Sequence, residues 1–478
     1  MTVAKTLVLF TDDLRMHDHP ALWHAAQRGQ VMALYRLQDD PLVLTAADLL
    51  RRHALVALHH DLQKHGVTLH TTREDLFVSI MYWVRLVGID AVYFHDSISP
   101  FEREQNAKLK ADLRAQGLEV ASFAARTIFS MQTIQSDSGK SFQVFTPFWR
   151  KAQLIAVEKS YPKPAKLEGL ITGTTSLDDP TLLLQEVPTW AKKLTASLNF
   201  GETTAIQAWQ TFREERLLGY RQGRDYPAQE AVSRLSMHLA CGSLSAKALY
   251  RSAEVTAQAT QDETLREACE SYQRQLLWRE FAYDQWYQHK MIDRESLRQE
   301  FQSFPWLEDE ESYQAWCQGR TGYPLVDAGM RELWQTGYMH NRVRMVVGSF
   351  LVKDLLLSWT KGYEWFKKTL FDFDVANNAL GWQWVAGTGI DAAPYFRVFN
   401  PVLQSQKFDE KATYIRRYVT ELRALTDEEI HALWKVDRDR LRQAGVILGE
   451  TYPYPIVDHA FARDRALAAY EQIKKRSK

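Results

Sequence analysis

Short apolar runs alternate with stretches of helical periodicity over residues 1–125. A run of four to eight apolar residues is typical of a buried strand, and apolar residues three and four positions apart are typical of an amphipathic helix. The predicted strands are 6–10, 31–37, 66–70 and 91–95, and the predicted helices include 46–66 and 101–117. Strands that alternate with helices predict a doubly wound α/β domain with a parallel sheet.

This alternation is lost between residues 150 and 200, where Pro, Gly, Thr and charged residues are frequent. A stretch without sustained periodicity is typical of a long connector. Helical patterns then recur at 204–217, 243–255, 262–288, 326–337, 341–362 and 427–436. The chain is therefore predicted to contain an α/β domain (1–130), a connector (131–202) and a larger all-α domain (203–478).

Charge and cysteine content narrow the class of protein. The 478 residues include 59 basic and 59 acidic side chains, so an anionic partner would have to meet a local basic patch rather than a basic protein. Cys241, Cys269 and Cys317 match no disulfide framework or metal spacing, which indicates a reducing compartment. No apolar run reaches the ~18 residues of a membrane span, and the first 20 residues lack a signal-peptide cleavage site. We predict a cytoplasmic protein without membrane association.

Several segments of the helical half carry more polar chemistry than packing requires. Ser233 and Ser236 precede or begin a helix, where hydroxyls and free N–H groups can bind phosphate. Arg342 and Arg344 fall in the first turn of an apolar helix, where cations oppose the helix dipole, so an anion is expected nearby. Residues 372–401 combine acidic, amide and Trp side chains suited to hold a flat, redox-active group.

A family resemblance accounts for these segments. The motifs WREF, TGYPLVDAGMREL, GYMHNRVRM, SFLVKDLLLSW, GWQW and PYFRVFNP together resemble the photolyase/cryptochrome flavoproteins, and in particular bacterial cyclobutane-pyrimidine-dimer photolyases. FTDDLRMHDHPAL near the start and FQVFTPFW at 142–149 extend the resemblance over the whole chain. It implies an α/β antenna domain and an all-α domain that holds FAD bent into a U shape.

The resemblance assigns a set of FAD-binding residues. They are Tyr220, Val232, Ser233, Arg234, Leu235, Ser236, Gln275, Asn341, Arg344, Asp372, Asp374 and Asn378. Tyr220 and the Ser233–Ser236 run would hold the diphosphate, and Arg344 would pair with Asp372. Asp374 would face the polar edge of the flavin and Asn378 its N5 atom, where an amide donates a hydrogen bond but is no ionisable proton donor. The protein would thereby tune the electronics of the cofactor.

The tryptophans divide into two groups under the same resemblance. Trp306, Trp359 and Trp382 match a chain that carries electrons from the surface to the flavin, since indole radical cations are accessible and closely spaced rings allow stepwise transfer. Photolyases extrude their target from the duplex and stack it on aromatic side chains. The residues that match the DNA and dimer site are Arg224, Gln275, Trp278, Asn341, Arg342, Met345, Trp384 and Gln404.

The sequence departs from the usual dimer photolyase at a few positions. Gln275 replaces a Glu that interacts with the dimer, Val232 replaces a hydroxyl residue, and Ala379 and Leu380 replace Asn-Gly near the flavin. Gln275 leaves open a cryptochrome-like blue-light photoreceptor with weak or no repair, and an electron-transfer flavoprotein without a DNA role is a third alternative. Asn378 argues against the plant-type cryptochrome branch.

The resemblance also bears on other ligands and partners. Glu102 lies where folate-binding members keep a Glu, although Phe101 replaces the usual polar neighbour. We expect an antenna chromophore, 5,10-methenyltetrahydrofolate rather than a deazaflavin. No metal site is expected, because His340 has no partner at metal spacing. The expected partner is UV-damaged DNA, bound by a monomer that needs no protein partner and joins the bacterial nucleoid only on damaged DNA.

Overall fold

The computed structural model describes residues 3–38, 43–124, 126–170, 179–185, 187–196, 198–395 and 397–476. The chain divides into two compact units, each built from two segments. The first unit combines Met1–Leu218 with Ser233–Lys290, and the second combines Gly219–Val232 with Met291–Lys478. The domain boundaries at residues 130 and 202 stay a prediction.

The first unit contains a parallel sheet in the order β3-β2-β1-β4-β5, with β6 paired to β2. The strands are β1 (Ala4–Phe10), β2 (Gly29–Arg36), β3 (Leu69–Thr72), β4 (Ala91–His95), β5 (Glu119–Phe123) and β6 (Glu168–Gly169). Leu9 of β1 lies between Leu34 and Phe94 of its neighbours, and all three are buried. The strands predicted at 6–10, 31–37 and 91–95 are confirmed, the one predicted at 66–70 lies later, at Leu69–Thr72, and the edge strands β5 and β6 were missed.

Most of the remaining structure is helical. In chain order the α-helices are α1 (Pro20–Arg28), α2 (Ala46–Gln63), α3 (Leu76–Val87), α4 (Pro100–Ala115), α5 (Phe145–Ala152), α6 (Thr189–Thr195), α7 (Glu202–Glu215), α8 (Tyr220–Gly223), α9 (Ser236–Ala240), α10 (Ala246–Ala259), α11 (Glu263–Gln288), α12 (Glu310–Cys317), α13 (Pro324–Thr336), α14 (Asn341–Ser349), α15 (Trp359–Thr369), α16 (Val375–Ala386), α17 (Pro401–Phe408), α18 (Thr413–Tyr418), α19 (Arg438–Gln443) and α20 (His459–Arg476). This architecture confirms the predicted fold class. Among the described residues, no helix has the length and apolar character needed to cross a membrane.

Side-chain caps explain where several helices begin. Thr45 and Asp48 form a reciprocal capping box at α2, and Asp262 accepts two backbone N–H bonds at α11. The longest helix, α11, carries the predicted residues Gln275 and Trp278. These caps satisfy N–H groups that the first helical turn leaves without intrahelical partners.

The predicted helix over 341–362 is interrupted, which corrects the sequence interpretation. α14 ends at Ser349, and a π-helical turn covers Phe350–Asp354. Leu356 then takes a positive φ of 57°, and Ser358 caps α15 by accepting a bond from the N–H of Thr360. A left-handed Leu is costly, so the apolar periodicity alone could not reveal this break.

Two other segments differ from expectation. Residues 427–436 form only the 3₁₀ turns Glu429–His431 and Leu433–Lys435, so the predicted helix there is wrong. The stretch between residues 150 and 200 includes β6, a 3₁₀ turn over Pro180–Leu184 and α6. Its residues 171–178, 186 and 197 lie outside the described residues.

Candidate functional site

The first turn of α14 places a cation beside a carboxylate, as the dipole argument requires. Nη2 of Arg344 donates to both carboxylate oxygens of Asp372, at 3.0 and 2.8 Å. Its Nε donates to the carbonyl oxygen of Met339 at 2.7 Å. Burial alone would lower the pKa of Arg344, but the neighbouring Asp372 carboxylate raises it above its ordinary value. The predicted pairing of Arg344 with Asp372 is therefore confirmed.

A second carboxylate compensates the other arginine of this turn. Nη2 of Arg342 lies 2.9 Å from Oδ1 of Asp225, and its guanidinium carbon lies 4.3 Å from the ring centroid of Phe408. Sequence reasoning missed Asp225, because 117 residues separate it from Arg342 and only the dipole conflict signalled that another anion was needed. His340 caps α14, with Nδ1 accepting the N–H of Arg342 at 3.2 Å.

The start of α16 holds a second polar group. Oδ1 of Asp374 accepts the backbone N–H of Asn377 at 2.9 Å and its side-chain amide at 2.8 Å. A carboxylate at this position also interacts favourably with the helix dipole. In the next position, Nδ2 of Asn378 donates to the carbonyl oxygen of Tyr363 at 3.2 Å. Asp374 is buried and Asn378 is half-buried, and these hydrogen bonds orient both side chains.

Three of the predicted tryptophans lie in the second unit at graded depths. Trp382 and Trp359 are buried, and Trp306 is half-buried beside Phe304, with ring centroids 4.3 Å apart. α15 packs on α16 through Gly362, where an added Cβ would lie 2.1 Å from a ring carbon of Trp382. The glycine thus allows the two helices to approach closely enough to enclose this indole.

Another tryptophan also adjoins Trp382 and was not singled out from the sequence. The ring centroid of Trp382 lies 6.2 Å from that of Trp316 and 5.0 Å from that of Phe366. Trp316 is fully buried and donates its Nε1–H to the carbonyl oxygen of Val347 at 3.0 Å. Its sequence context, an ordinary amphipathic helix, gave no signal.

A surface cavity of about 400 Å³ lies in the second unit. Of the predicted DNA-binding residues it brings together Arg342 and Gln404, and Asp225, Lys407 and Phe408 also line it. Among the other predicted residues of this unit, Asn341 is exposed, while Met345 and Trp384 are half-buried. The guanidinium of Arg224 packs over the ring of Tyr220, 5.6 Å from its centroid, and Val232 is half-buried.

The predicted phosphate-binding run lies in the first unit and departs from expectation. Ser236 is the first residue of α9 rather than its cap, and no side chain caps this five-residue helix. Oγ of Ser233 instead accepts a long bond, 3.4 Å, from the N–H of Leu235. Arg234 between them takes a positive φ of 54°. Ser236 therefore does not cap the helix, because α9 begins at Ser236 itself, one residue earlier than a helix capped by this serine would.

The remaining predicted residues also belong to the first unit. Trp278 stacks on Phe145 with ring centroids 3.7 Å apart and planes within 10°. Gln275 is half-buried, three positions earlier on α11. Glu102 accepts a hydrogen bond from the hydroxyl of Ser97 at 2.5 Å.

α11 also anchors the preceding loop through a buried acid that the sequence analysis did not single out. Oε2 of Glu280 accepts the N–H groups of Ile128 and Phe129 at 2.9 and 3.5 Å. Burial raises the pKa of Glu280 to about 7, although Arg279 lies 3.7 Å away.

One buried cluster in the first unit has the composition of a metal site. Asp13, His19 and His95 offer atoms within 4.8 Å of one another. However, Nδ1 of His19 accepts the N–H of Leu22 at 3.0 Å, and Nε2 of His95 accepts that of Ala21 at 3.5 Å. The nitrogens that face Asp13 therefore carry protons rather than lone pairs. The cluster thus pairs two imidazoles with one carboxylate oxygen: Nε2 of His19 lies 3.4 Å from Oδ2 of Asp13, and Nδ1 of His95 contacts the same oxygen.

Comparison with known proteins identifies the family. Residues 6–166 match the family model described as DNA photolyase, and residues 272–472 match the FAD binding domain of DNA photolyase. A deoxyribodipyrimidine photo-lyase from Agrobacterium fabrum is 38% identical and aligns over 99% of this chain and 99% of its own length. The chain belongs to the photolyase/cryptochrome family.

Solved structures of photolyase/cryptochrome family members show the same fold. A bacterial class III photolyase from Agrobacterium tumefaciens superposes with a TM-score of 0.93 at 38% identity, covering 99% of this chain and 98% of its own. A cryptochrome from Synechocystis gives 0.86 at 28% identity, covering 98% and 100%. As a family member with the matched domain, the chain binds FAD through its helical part.

The residues of the second unit fit such a cofactor. Among the described residues, no hydrogen-bond partner meets Nε1 of Trp382, which is buried. A buried donor without an acceptor costs about 1–3 kcal/mol, which an acceptor on a bound planar group would offset. Asp374 caps the helix that carries Asn378 and Trp382, and the two polar residues add carboxylate oxygens and an amide suited to the polar edge of a flavin.

Proposed function

We propose that this chain is a light-driven DNA lyase that splits cyclobutane pyrimidine dimers. The observation that carries the proposal is the arrangement of α14, where Arg344 is fixed by a buried carboxylate and Arg342 lines a surface cavity. The chain has no net charge, so DNA phosphates would have to meet a local basic patch. Arg342 and Lys407, which line the same surface cavity, would form this patch. Its relatives named deoxyribodipyrimidine photo-lyase support the same activity.

Bound FAD, reduced and excited by light, would supply one electron for opening the dimer and would take it back afterwards. The FAD-binding set proposed for this chain is the one that the resemblance assigned, from Tyr220 through Asn378. Asn378 would hold a hydrogen bond at the flavin edge without giving up a proton, because an amide does not ionise near neutral pH. Arg344 and Asp372 would keep that wall of the site rigid.

The proposed electron chain runs through Trp306, Trp359 and Trp382. Their burial supports these roles, since the half-buried Trp306 can exchange electrons with an external reductant while the other two are shielded from water. Trp382 lies on α16 with Asn378, one helical turn apart. These three tryptophans would return oxidised FAD to its reduced form and would not take part in each repair cycle.

The proposed dimer site uses aromatic rings and amides. Trp278 and Trp384 would stack on the extruded bases, and Gln275 would hydrogen-bond them. Arg224, Asn341, Arg342, Met345 and Gln404 would complete the contacts to bases and backbone. Gln275 cannot supply charge or a proton, so we expect slower repair than a Glu at this position would give.

Two further assignments complete the proposal. A second, light-harvesting chromophore, 5,10-methenyltetrahydrofolate or else a deazaflavin, would bind near Glu102. The protein would act as a cytoplasmic monomer that meets the nucleoid at damaged sites. A cryptochrome-like photoreceptor is the alternative that Gln275 and the likeness to the Synechocystis cryptochrome keep open.

The test begins with an absorption spectrum of the purified protein. We expect flavin bands and, if an antenna is bound, a further near-ultraviolet band. The reduced protein is then incubated with a duplex that contains one thymine dimer, under blue light and in the dark. Dimer loss in light alone supports repair. Full FAD loading without light-dependent dimer loss would reject repair. Tight, light-independent preference for dimer-containing DNA would count against the photoreceptor, and the lack of such a preference would favour it.

A further inference from the structure

The two arginines in the first turn of α14 are neutralised in different ways. Asp372, the partner of Arg344, has a side chain only 5% exposed and accepts two bonds. Asp225, the partner of Arg342, has a side chain 40% exposed and accepts a single bond at 2.9 Å. Another anion can replace a solvent-accessible carboxylate that is held by one bond. A buried carboxylate held by two bonds can be replaced only if the structure around it opens.

Other contacts keep Arg342 in place when its carboxylate leaves. The ring of Phe408 lies under the guanidinium, 4.3 Å from its carbon, and this packing is independent of Asp225. Lys407 lies 5.2 Å from the same ring and adds a second cation to the cavity. Gln404 on the same helix supplies an amide donor. An anion the size of a phosphate would therefore find Arg342, Lys407 and Gln404 already in place in the cavity.

We propose that Asp225 is an exchangeable counter-ion, which a backbone phosphate of DNA replaces at Arg342. The inference rests on the proposed function, because it takes DNA as the anion. In the free protein Asp225 neutralises Arg342, so the cavity attracts small anions only weakly. On binding, Arg342 passes from carboxylate to phosphate, and Asp225 turns to solvent. Asp225 thus weakens DNA binding and lessens its dependence on salt.

The test compares Asp225→Asn with Asp427→Asn. Asp427 pairs with Arg416 at 2.7 Å and is exposed, so its variant makes the same charge change away from the cavity. Full-length, FAD-loaded proteins are titrated in the dark with a duplex carrying one thymine dimer and with the undamaged duplex, between 50 and 200 mM salt. We expect Asp225→Asn to tighten both complexes about fivefold and to steepen the salt slope by up to about 0.9, the value for one phosphate. Asp427→Asn should change both affinities less than about twofold.

Two additional variants isolate the exchange. In an Arg342→Gln background, Asp225→Asn should no longer tighten binding, because the phosphate it favours has lost its partner. Asp225→Glu keeps the carboxylate and should bind like the wild type, which separates exchange from misfolding. Weaker binding by Asp225→Asn, an effect equal to that of Asp427→Asn, or an effect that persists without Arg342 would overturn the proposal.

The outcome for repair is separate. If the wild type does not prefer dimer-containing DNA, the proposed repair function fails. Phosphate contacts are independent of sequence and damage, so the undamaged duplex still tests the exchange at Asp225 in that case.

Discussion

Asp372 accepts both of its hydrogen bonds from a single guanidinium nitrogen of Arg344, at 3.0 and 2.8 Å. Because the carboxylate is almost fully buried, the pair is not screened as a surface pair would be. It resolves the conflict between a cation and the positive end of the α14 dipole, and it links α14 to the segment that leads into α16.

Asp372→Asn should therefore destabilise the protein and its hold on FAD. Loss of the carboxylate charge leaves Arg344 with a weaker partner, at a cost of about 1–3 kcal/mol. We expect a lower Tm and a smaller ratio of flavin to protein absorbance after dialysis. Asp427→Asn, which removes an exposed carboxylate, should change neither. Unchanged flavin retention by Asp372→Asn would contradict a role for the pair in the cofactor site.

Two glycines predict opposite effects of the same substitution. Gly362→Ala would place a methyl group 2.1 Å from a ring carbon of Trp382, and such overpacking costs about 1–3 kcal/mol. Gly381→Ala on α16 meets no atom within 4 Å, and alanine in a helix interior is favoured over glycine by roughly 0.5–1 kcal/mol. Thermal unfolding should show Tm falling in the first variant and rising in the second. A rise in both would mean that Trp382 can move aside freely.

Glu280 predicts a dependence of stability on pH. Its folded pKa of about 7 lies above the ordinary value of 4.5, so the folded state binds the proton more tightly than the unfolded state does. The stabilisation is fully present below about pH 4.5 and is lost as pH rises through 7, by up to about 3 kcal/mol. The amide of Glu280→Gln mimics the protonated acid, so the variant should lose less stability than the wild type between pH 5 and 8.

The control for this prediction is Glu270→Gln, at an exposed position on the same helix. Denaturant unfolding at several pH values should give parallel curves for Glu270→Gln and the wild type. If Glu280→Gln also runs parallel to the wild type, Glu280 does not titrate in this range.

The proposed electron chain predicts a graded loss of flavin photoreduction. In the proposed chain Trp382 is the indole on the helix beside FAD. Trp382→Phe removes it, so blue light with an external reductant should no longer reduce the bound flavin. Trp306→Phe removes the half-buried member, and slower reduction is expected because the electron must then reach the chain from further away. Both variants should retain FAD, which the absorption spectrum checks before illumination. Photoreduction at the wild-type rate by Trp382→Phe would remove this residue from the path.

Sequence patterns were most informative where local chemistry decides structure. Apolar runs located the three central strands β2, β1 and β4, because strands buried on both faces are continuous apolar segments. The dipole conflict at α14 indicated that Arg344 needs an anion, and the resemblance supplied Asp372. β5 was missed because it is a short edge strand with Glu119 and Ser122 among its residues.

Features set by distant contacts were not accessible in this way. Asp225 meets Arg342 only in the folded chain, and nothing near Asp225 distinguishes it from a solvated acid. Leu356 adopts its positive φ because the surrounding structure requires it, against its own preference. Ser236 resembled a helix cap, yet the backbone places it one position inside α9.

The interleaved segments of the two units constrain how the chain can be made and cut. Glu280 receives N–H bonds from Ile128 and Phe129, so the first unit is finished only when residues up to Lys290 are present. During synthesis the strands of the sheet are made before α11, so the first unit stays incomplete until α11 has also been made. A fragment ending at Leu218 would therefore expose the surface that α11 covers, and splitting the protein there should give two polypeptides that are soluble only together.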